Sequence, residues 1–239
     1  MPGGLTALGS FFAVSIHPSG QRPEAPWRPL GELTSPGPVL AARIEATRAT
    51  LAERGQRDLG QIEPRVAASA VHLGLAARLT SPALGAAVLG HPLDVHLDGL
   101  WWQDVTGGPV PLSVPATIPG DAPVPGYAPW DRVLLDNLLL PLTLAVAELV
   151  PLSSRVLWGN VASAVNAAAR MIARQRPDLG GAAWDAAGRL FASPWLGTER
   201  NPPGPAFRRS SCCLFYRLEP EGPPAVCGDC VLTGRPARG

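Results

Sequence analysis

Lysine is absent. All 20 basic residues among the 239 are arginine. Chemistry that needs a lysine amine, such as Schiff-base formation, is excluded, although a coding-composition bias accounts for the absence by itself. Charge of either sign is scarce: 16% of residues are charged, and they sum to +1. So neutral a chain offers no electrostatic footprint for nucleic acid or an anionic membrane. With 46% hydrophobic residues, disorder driven by charge is excluded as well. No G-x-G-x-x-G, Walker loop or nucleophile elbow occurs, so no known motif supports NAD, flavin or ATP binding.

A clean apolar run is also missing. The best candidate span, residues 133–150, contains Asp136, Asn137, Pro141 and Glu148, and in a bilayer it would bury two carboxylates and a proline kink. The N-terminus carries no basic region ahead of an apolar stretch. The expectation is a cytoplasmic protein without a membrane span, where clustered thiols stay reduced and bind metal rather than each other.

Proline (28) and glycine (26) are abundant, which predicts many turns and short elements. Between them lie helical segments. Composition favours a helix over 39–57. Pro64 suits a first helical position, and Val66, Ala70, Leu73 and Ala77 follow at helical spacing. Ala68, Leu75 and Leu79 make that helix apolar nearly all round, hence central. Ser81-Pro82 reads as the start of a separate short helix. Residues 130–150 form another helix, kinked at Pro141. Ser153 or Ser154 caps a long one to about Arg176, and 181–192 a short one. Phe11–Ile16 reads as a first strand or a packed lead-in, and 93–103 pairs with 109–114 through a turn at 106–108. The fold class is mainly α (α+β): a helical domain over 1–198 with a small β element, then a C-terminal metal-binding segment over 199–239.

Only four cysteines occur, and all lie in the last part of the chain: Cys212, Cys213, Cys227 and Cys230. They read as CC, 13 intervening residues, and CxxC. Four thiolates suffice for a [2Fe–2S] cluster, a mononuclear iron or a structural zinc. In CxxC, a turn at Gly228-Asp229 brings two sulfurs to one side, and the glycine admits backbone amides to them. The CC pair discriminates. Neighbours on an extended strand face opposite ways, so the backbone must turn for both to serve one centre. Zinc ribbons use two CxxC-type knuckles, which CC does not match. A vicinal disulfide closes a strained ring and leaves CxxC unexplained. Leu214, Phe215, Tyr216, Val231 and Leu232 flank the thiols. Arg208, Arg209 and Arg217 either offset the charge of a thiolate-bound cluster or are solvated surface residues. An iron–sulfur centre is favoured, with zinc and redox thiols left open.

The run Cys212 to Leu218 (CCLFYRL), followed by Cys227 to Leu232 (CGDCVL), resembles the C-terminal signature of FhuF-like ferric-siderophore reductases. Residues 157–163 (LWGNVAS), 67–69 (AAS), 72–79 (HLGLAARL), 81–84 (SPAL) and 100–102 (LWW) are similar to other stretches of that family. The resemblance runs from about residue 60 to 232, and the first 60 residues match weakly. The spacer is 13 residues against about ten in that family, a difference a loop absorbs at small entropic cost. The resemblance implies a [2Fe–2S] cluster on Cys212, Cys213, Cys227 and Cys230. It also implies a cytoplasmic ferric-siderophore reductase that takes electrons from a ferredoxin- or flavin-type donor and acts in iron homeostasis. The alternatives are a helical binding protein with a structural four-cysteine zinc site, and an iron–sulfur electron carrier without a substrate pocket.

For an iron-chelate pocket the candidates are Trp101 and Trp102, one of which can face a groove because adjacent strand residues point to opposite sides, with Asn160, Arg208, Arg209 and Arg217. His72, among apolar neighbours on its helix, reads as a core histidine. His91 and His96, with Asp94 and Asp98, read either as turn polarity or as a metal site.

Overall fold

The computed structural model describes residues 2–93, 97–105, 108–116, 129–218 and 226–232. Two helices form its centre: α3 (Pro64–Val88) and α6 (Ser154–Gln175) pack along one another. Helix α1 (Pro2–Thr6) and α2 (Pro38–Arg54) cover α3, and α7 (Gly180–Phe191) covers α6. The segment 130–149 runs through α4 (Trp130–Arg132), a π-helical stretch Val133–Leu139 and α5 (Leu140–Leu149).

The all-round apolar pattern of α3 has its expected outcome: Val66, Ala67, Ala68, Leu75, Leu79 and Leu84 are all buried. The expected break at Ser81-Pro82 does not occur. Pro82 lies inside the continuous helix. A proline there costs about 3 kcal/mol, but Ala83, Leu84 and Ala86 continue the buried surface. Burial of Leu84, at about 1.5–3 kcal/mol, together with that of the two alanines offsets the break. The kink expected at Pro141 takes the form of the π-helical stretch that ends just before it. The widened turn accommodates a ring that cannot donate to the carbonyl four residues back. On α6, Ser153 Oγ accepts from the Arg155 N–H at 3.3 Å, which makes it the cap. The stripe Leu157, Val161, Ala164, Ala168 and Ile172 is buried, while Met171 is only half-buried.

The β element is a small mixed sheet in the order β1 (Ser15–His17), β4 (Leu112–Pro115), β3 (Trp101–Trp102) and β2 (Arg28–Pro29). β1 runs parallel to β4 and the other pairs are antiparallel, with Trp101 opposite Ser113 and Trp102 opposite Leu112. Residues 106 and 107 of the expected turn between β3 and β4 lie outside the described residues. Residues 11–14 are the packed lead-in, and the strand starts at Ser15. Phe12 is a core residue, lying where a β-carbon on Gly85 would approach it to 2.8 Å. The Arg78 guanidinium, on the C-terminal half of α3, ties the sheet to the helices. It donates to the carbonyls of Val110 (2.5 Å), Phe11 (2.6 Å) and Ala13.

Candidate metal centre

Residues 199–218 fold back over the first turns of α3 and α6. Phe207 meets Phe191 edge-on at 5.5 Å, and the Gly204 N–H donates to Asn166 Oδ1 at 2.8 Å. Arg57 and Arg217 hold the far side: Arg57 Nη1 donates to the Leu218 carbonyl at 2.8 Å, and Arg217 Nη1 reaches Glu63 Oε1 at 2.6 Å. That contact and Arg65 hold the Glu63 carboxyl below its usual range.

Between these anchors lies a buried polar chain. Ser69 Oγ donates to the Cys213 carbonyl at 2.9 Å. Asn160 Nδ2 donates to Ser69 O and Oγ, each at 3.1 Å, while Asn160 Oδ1 accepts from Arg209 Nη2 at 2.8 Å. The same nitrogen donates to the Val156 carbonyl at 3.1 Å, and Ser211 Oγ donates to the Arg155 carbonyl at 2.6 Å. All of this requires the segment to cross α6 closely at Gly159. A β-carbon at that position would overlap Ser211 Oγ and come within 2.8 Å of Arg209 Nη2.

The backbone turns at the cysteine pair, as two neighbouring ligands require. Leu214 has φ 71, the left-handed region that a branched side chain enters at a cost of about 1–2 kcal/mol, and a 3-10 turn Phe215–Leu218 follows. The Leu214 N–H then donates to Cys212 Sγ at 3.3 Å. In the second half the Cys230 N–H donates to the Cys227 carbonyl at 3.1 Å, and the Leu232 N–H to Cys230 Sγ at 3.3 Å. The amides that meet Cys212 and Cys230 sulfur are therefore those two residues further along the chain. The Gly228 carbonyl accepts from Arg208 Nη1 at 2.8 Å.

The two halves meet where Cys213 Sγ and Cys227 Sγ stand 3.5 Å apart. Two thiolates on one tetrahedral ion with bonds of about 2.3 Å stand about 3.8 Å apart, so this pair is close to a chelating separation. All four cysteines are free; Cys213 and Cys230 are buried, and Cys212 and Cys227 are half-buried. Hydrogen bonding with Cys213 pushes the Cys212 and Cys227 thiols up, and the same contacts draw Cys213 down, with the Arg209 charge adding to the latter. Among the described residues no group of three or more His, Cys, Asp or Glu is arranged around one ion. A two-iron cluster takes its sulfurs two to each iron, so the Cys213–Cys227 pair and the amides aimed at Cys212 and Cys230 suit it.

Arg208 is exposed, Arg217 is half-buried and paired with Glu63, and Arg209 is buried. Asn160 is fully buried and committed to Ser69 and Arg209. Trp101 and Trp102 belong to a different part of the molecule. Their sheet is tied to Arg78, nine residues beyond Ser69 on α3, or about 13 Å along the axis. Trp102 is buried, with the guanidiniums of Arg28 (5.6 Å) and Arg43 (5.4 Å) over its ring. Trp101 lines a cavity of about 370 Å³ with His17, Arg22, Asp98 and Pro115. His72 is the core histidine expected: it is buried, with Nε2 3.1 Å from Thr143 Oγ1. Asp94 and His96 lie outside the described residues. Sequence reasoning missed the roles of Ser69, Gly159 and Leu214; the only trace of the first two was their place in family-like stretches.

Residues 209–232 match the family of the FhuF 2Fe-2S C-terminal domain. That match spans the cysteines and the buried arginine, and it indicates a [2Fe–2S] cluster. The resemblance to FhuF-like proteins therefore holds in this segment. No curated protein and no solved structure is significantly similar to the chain. No helix among the described residues is long and apolar enough to cross a membrane.

Proposed function

We propose that this chain is a ferric-siderophore reductase whose [2Fe–2S] cluster is held by Cys212, Cys213, Cys227 and Cys230. The observation that carries this reading is the meeting of the two cysteine halves at the ends of α3 and α6, inside the segment that matches the FhuF 2Fe-2S domain. The bound cluster supplies one-electron transfer: an electron from an external ferredoxin- or flavin-type donor passes to chelated Fe(III), which leaves as the more weakly bound Fe(II). The protein's share is to bind and to orient. The Leu214 and Leu232 amides hold the sulfurs of Cys212 and Cys230, and the Ser69–Asn160–Arg209 chain fixes the segment to the helices. Arg208 and the half-exposed Arg217 stand at the rim, where an anionic chelate can approach. Trp102 and Asn160, both buried, make no substrate contact in this reading. The natural division of the chain lies near residue 198, with the helical domain before it and the cluster segment after it. We place the protein in the cytoplasm, where the thiols stay reduced.

The test begins with iron, sulfide and an EPR spectrum of the reduced, anaerobically purified protein. Reduced protein is then mixed with hydroxamate, catecholate and carboxylate ferric chelates in the presence of an Fe(II) trap. Stoichiometric Fe(II) from at least one class is expected, and serine at any of the four cysteine positions abolishes it. A cluster that reduces none of the chelates favours the second reading, an electron carrier. Zinc without iron or sulfide would overturn both.

A further inference from the structure

Two arginines are buried among the described residues, and they are employed differently. Arg78, 3% exposed, spends all three of its guanidinium nitrogens on backbone carbonyls. It is a structural tie. Arg209, 1% exposed, spends only Nη2; its Nε and Nη1 have no acceptor among the described residues. Arginine stays protonated in proteins, and a buried cation with unmet donors is costly. Such an arrangement persists when a negative acceptor completes it.

The position of Arg209 identifies that acceptor. It lies three residues before Cys212, and its own N–H donates to the carbonyl of Asp229, inside CxxC, at 3.1 Å. One backbone hydrogen bond thus ties the guanidinium's residue to both halves of the cysteine site. Asn160 and the Val156 carbonyl fix the third nitrogen from the α6 side, over the gap left by Gly159.

We propose that Arg209 is a positioning residue for the redox centre, its Nε and Nη1 donating to sulfurs of the [2Fe–2S] cluster and its charge favouring the reduced state. The inference rests on the ligand assignment above. Each thiolate contributes a negative charge and reduction adds another, so a fixed cation in a poorly polarisable interior stabilises the reduced form more than the oxidised one. Hydrogen bonds to sulfur act in the same direction. Arg208 and Arg217 cannot substitute, because solvent and Glu63 screen them. Two other titratable groups face the site. His72 is held neutral by burial and by Arg209 itself. Asp229 is buried with Oδ2 lacking a partner among the described residues, and it is the rival acceptor.

The experiment is a potentiometric titration of the full-length cluster-loaded protein followed by EPR, with iron and sulfide counted in each variant. Arg209→Gln is expected to keep its cluster with a lower midpoint, by at least a tenfold change in the reduction equilibrium, about 59 mV for one electron. Arg174→Gln, which removes an exposed arginine of α6, is expected to leave the midpoint in place. A glutamine variant with full cluster content and the wild-type midpoint overturns the proposal; an internal Arg209–Asp229 ion pair would produce that result. If the glutamine variant loses its cluster, wild-type protein labelled with ¹⁵N-arginine decides. A nitrogen coupling to the reduced centre in pulsed EPR supports the proposal, and its absence overturns it. Wild-type protein with neither iron nor sulfide is a separate failure, which removes the ligand assignment itself.

Discussion

Gly159 is the residue on which the docking of the cysteine segment turns. A methyl group there has no room beside Ser211 and Arg209. Gly159→Ala gains about 1 kcal/mol of helix propensity but forces the crossing chain outward, at about 1–3 kcal/mol for such overpacking. The expected outcome is a protein with intact helical circular dichroism and reduced iron content after gel filtration. His72 sets a pH limit. Thr143 Oγ1 donates to the Leu139 carbonyl at 2.6 Å, so it accepts from His72 Nε2, and the ring is neutral. Burial, aided by Arg209, lowers its pKa from 6.5 to about 3. Between those values the unfolded chain binds the extra proton, so stability is full above pH 6.5 and falls as the pH drops toward 3. At about pH 5 the loss is about 2 kcal/mol. Urea unfolding at about pH 7.5 and about pH 5 measures it, and His72→Gln removes this part of the pH dependence.

At the scale of elements, the sheet and the cysteine segment are attached to different halves of α3. Arg78→Ala leaves one buried and two part-buried carbonyls without a donor. At about 1–3 kcal/mol for a buried unsatisfied group and less for the part-buried ones, a loss of about 2 kcal/mol or more is expected. Amide exchange is expected to rise in β1, β3 and β4, while iron content at low temperature stays at the wild-type level. Ser69→Ala reverses the pattern. It removes the donor to the Cys213 carbonyl and a partner of Asn160, and it is expected to loosen residues 207–218 with the sheet undisturbed. Helix boundaries were legible from caps and periodicity: Ser153 and the α6 stripe stand where expected. Pro82 and Pro141 were legible only as disturbances. Whether a proline ends a helix, widens it or is carried through depends on what its flanks bury, and the partners on those flanks are distant in the chain.

For the whole molecule, a cluster that binds the folded chain and not the unfolded one adds its binding free energy to stability. Removing it by chelation is expected to lower the melting temperature. Amide protection is expected to be lost over 207–218 and the first two turns of α6, and kept around Ala183, Ala187 and Leu190 on the buried face of α7. Uniform loss of protection would show that the segment and the helical core unfold as one unit.

The sequence by itself determined the helical class, the central apolar helix and the identity of the metal-binding element. Four cysteines in CC and CxxC are a local pattern, and soft-donor chemistry follows from residue type alone. It could not rank three arginines of identical chemistry. Tertiary structure decided that Arg208 faces solvent, Arg217 meets Glu63 and Arg209 is buried with two unmet donors among the described residues. It likewise separated Trp101 and Trp102 from the cysteines. Burial and pairing depend on which distant segments cross, here at Gly159, and periodicity carries no record of a crossing.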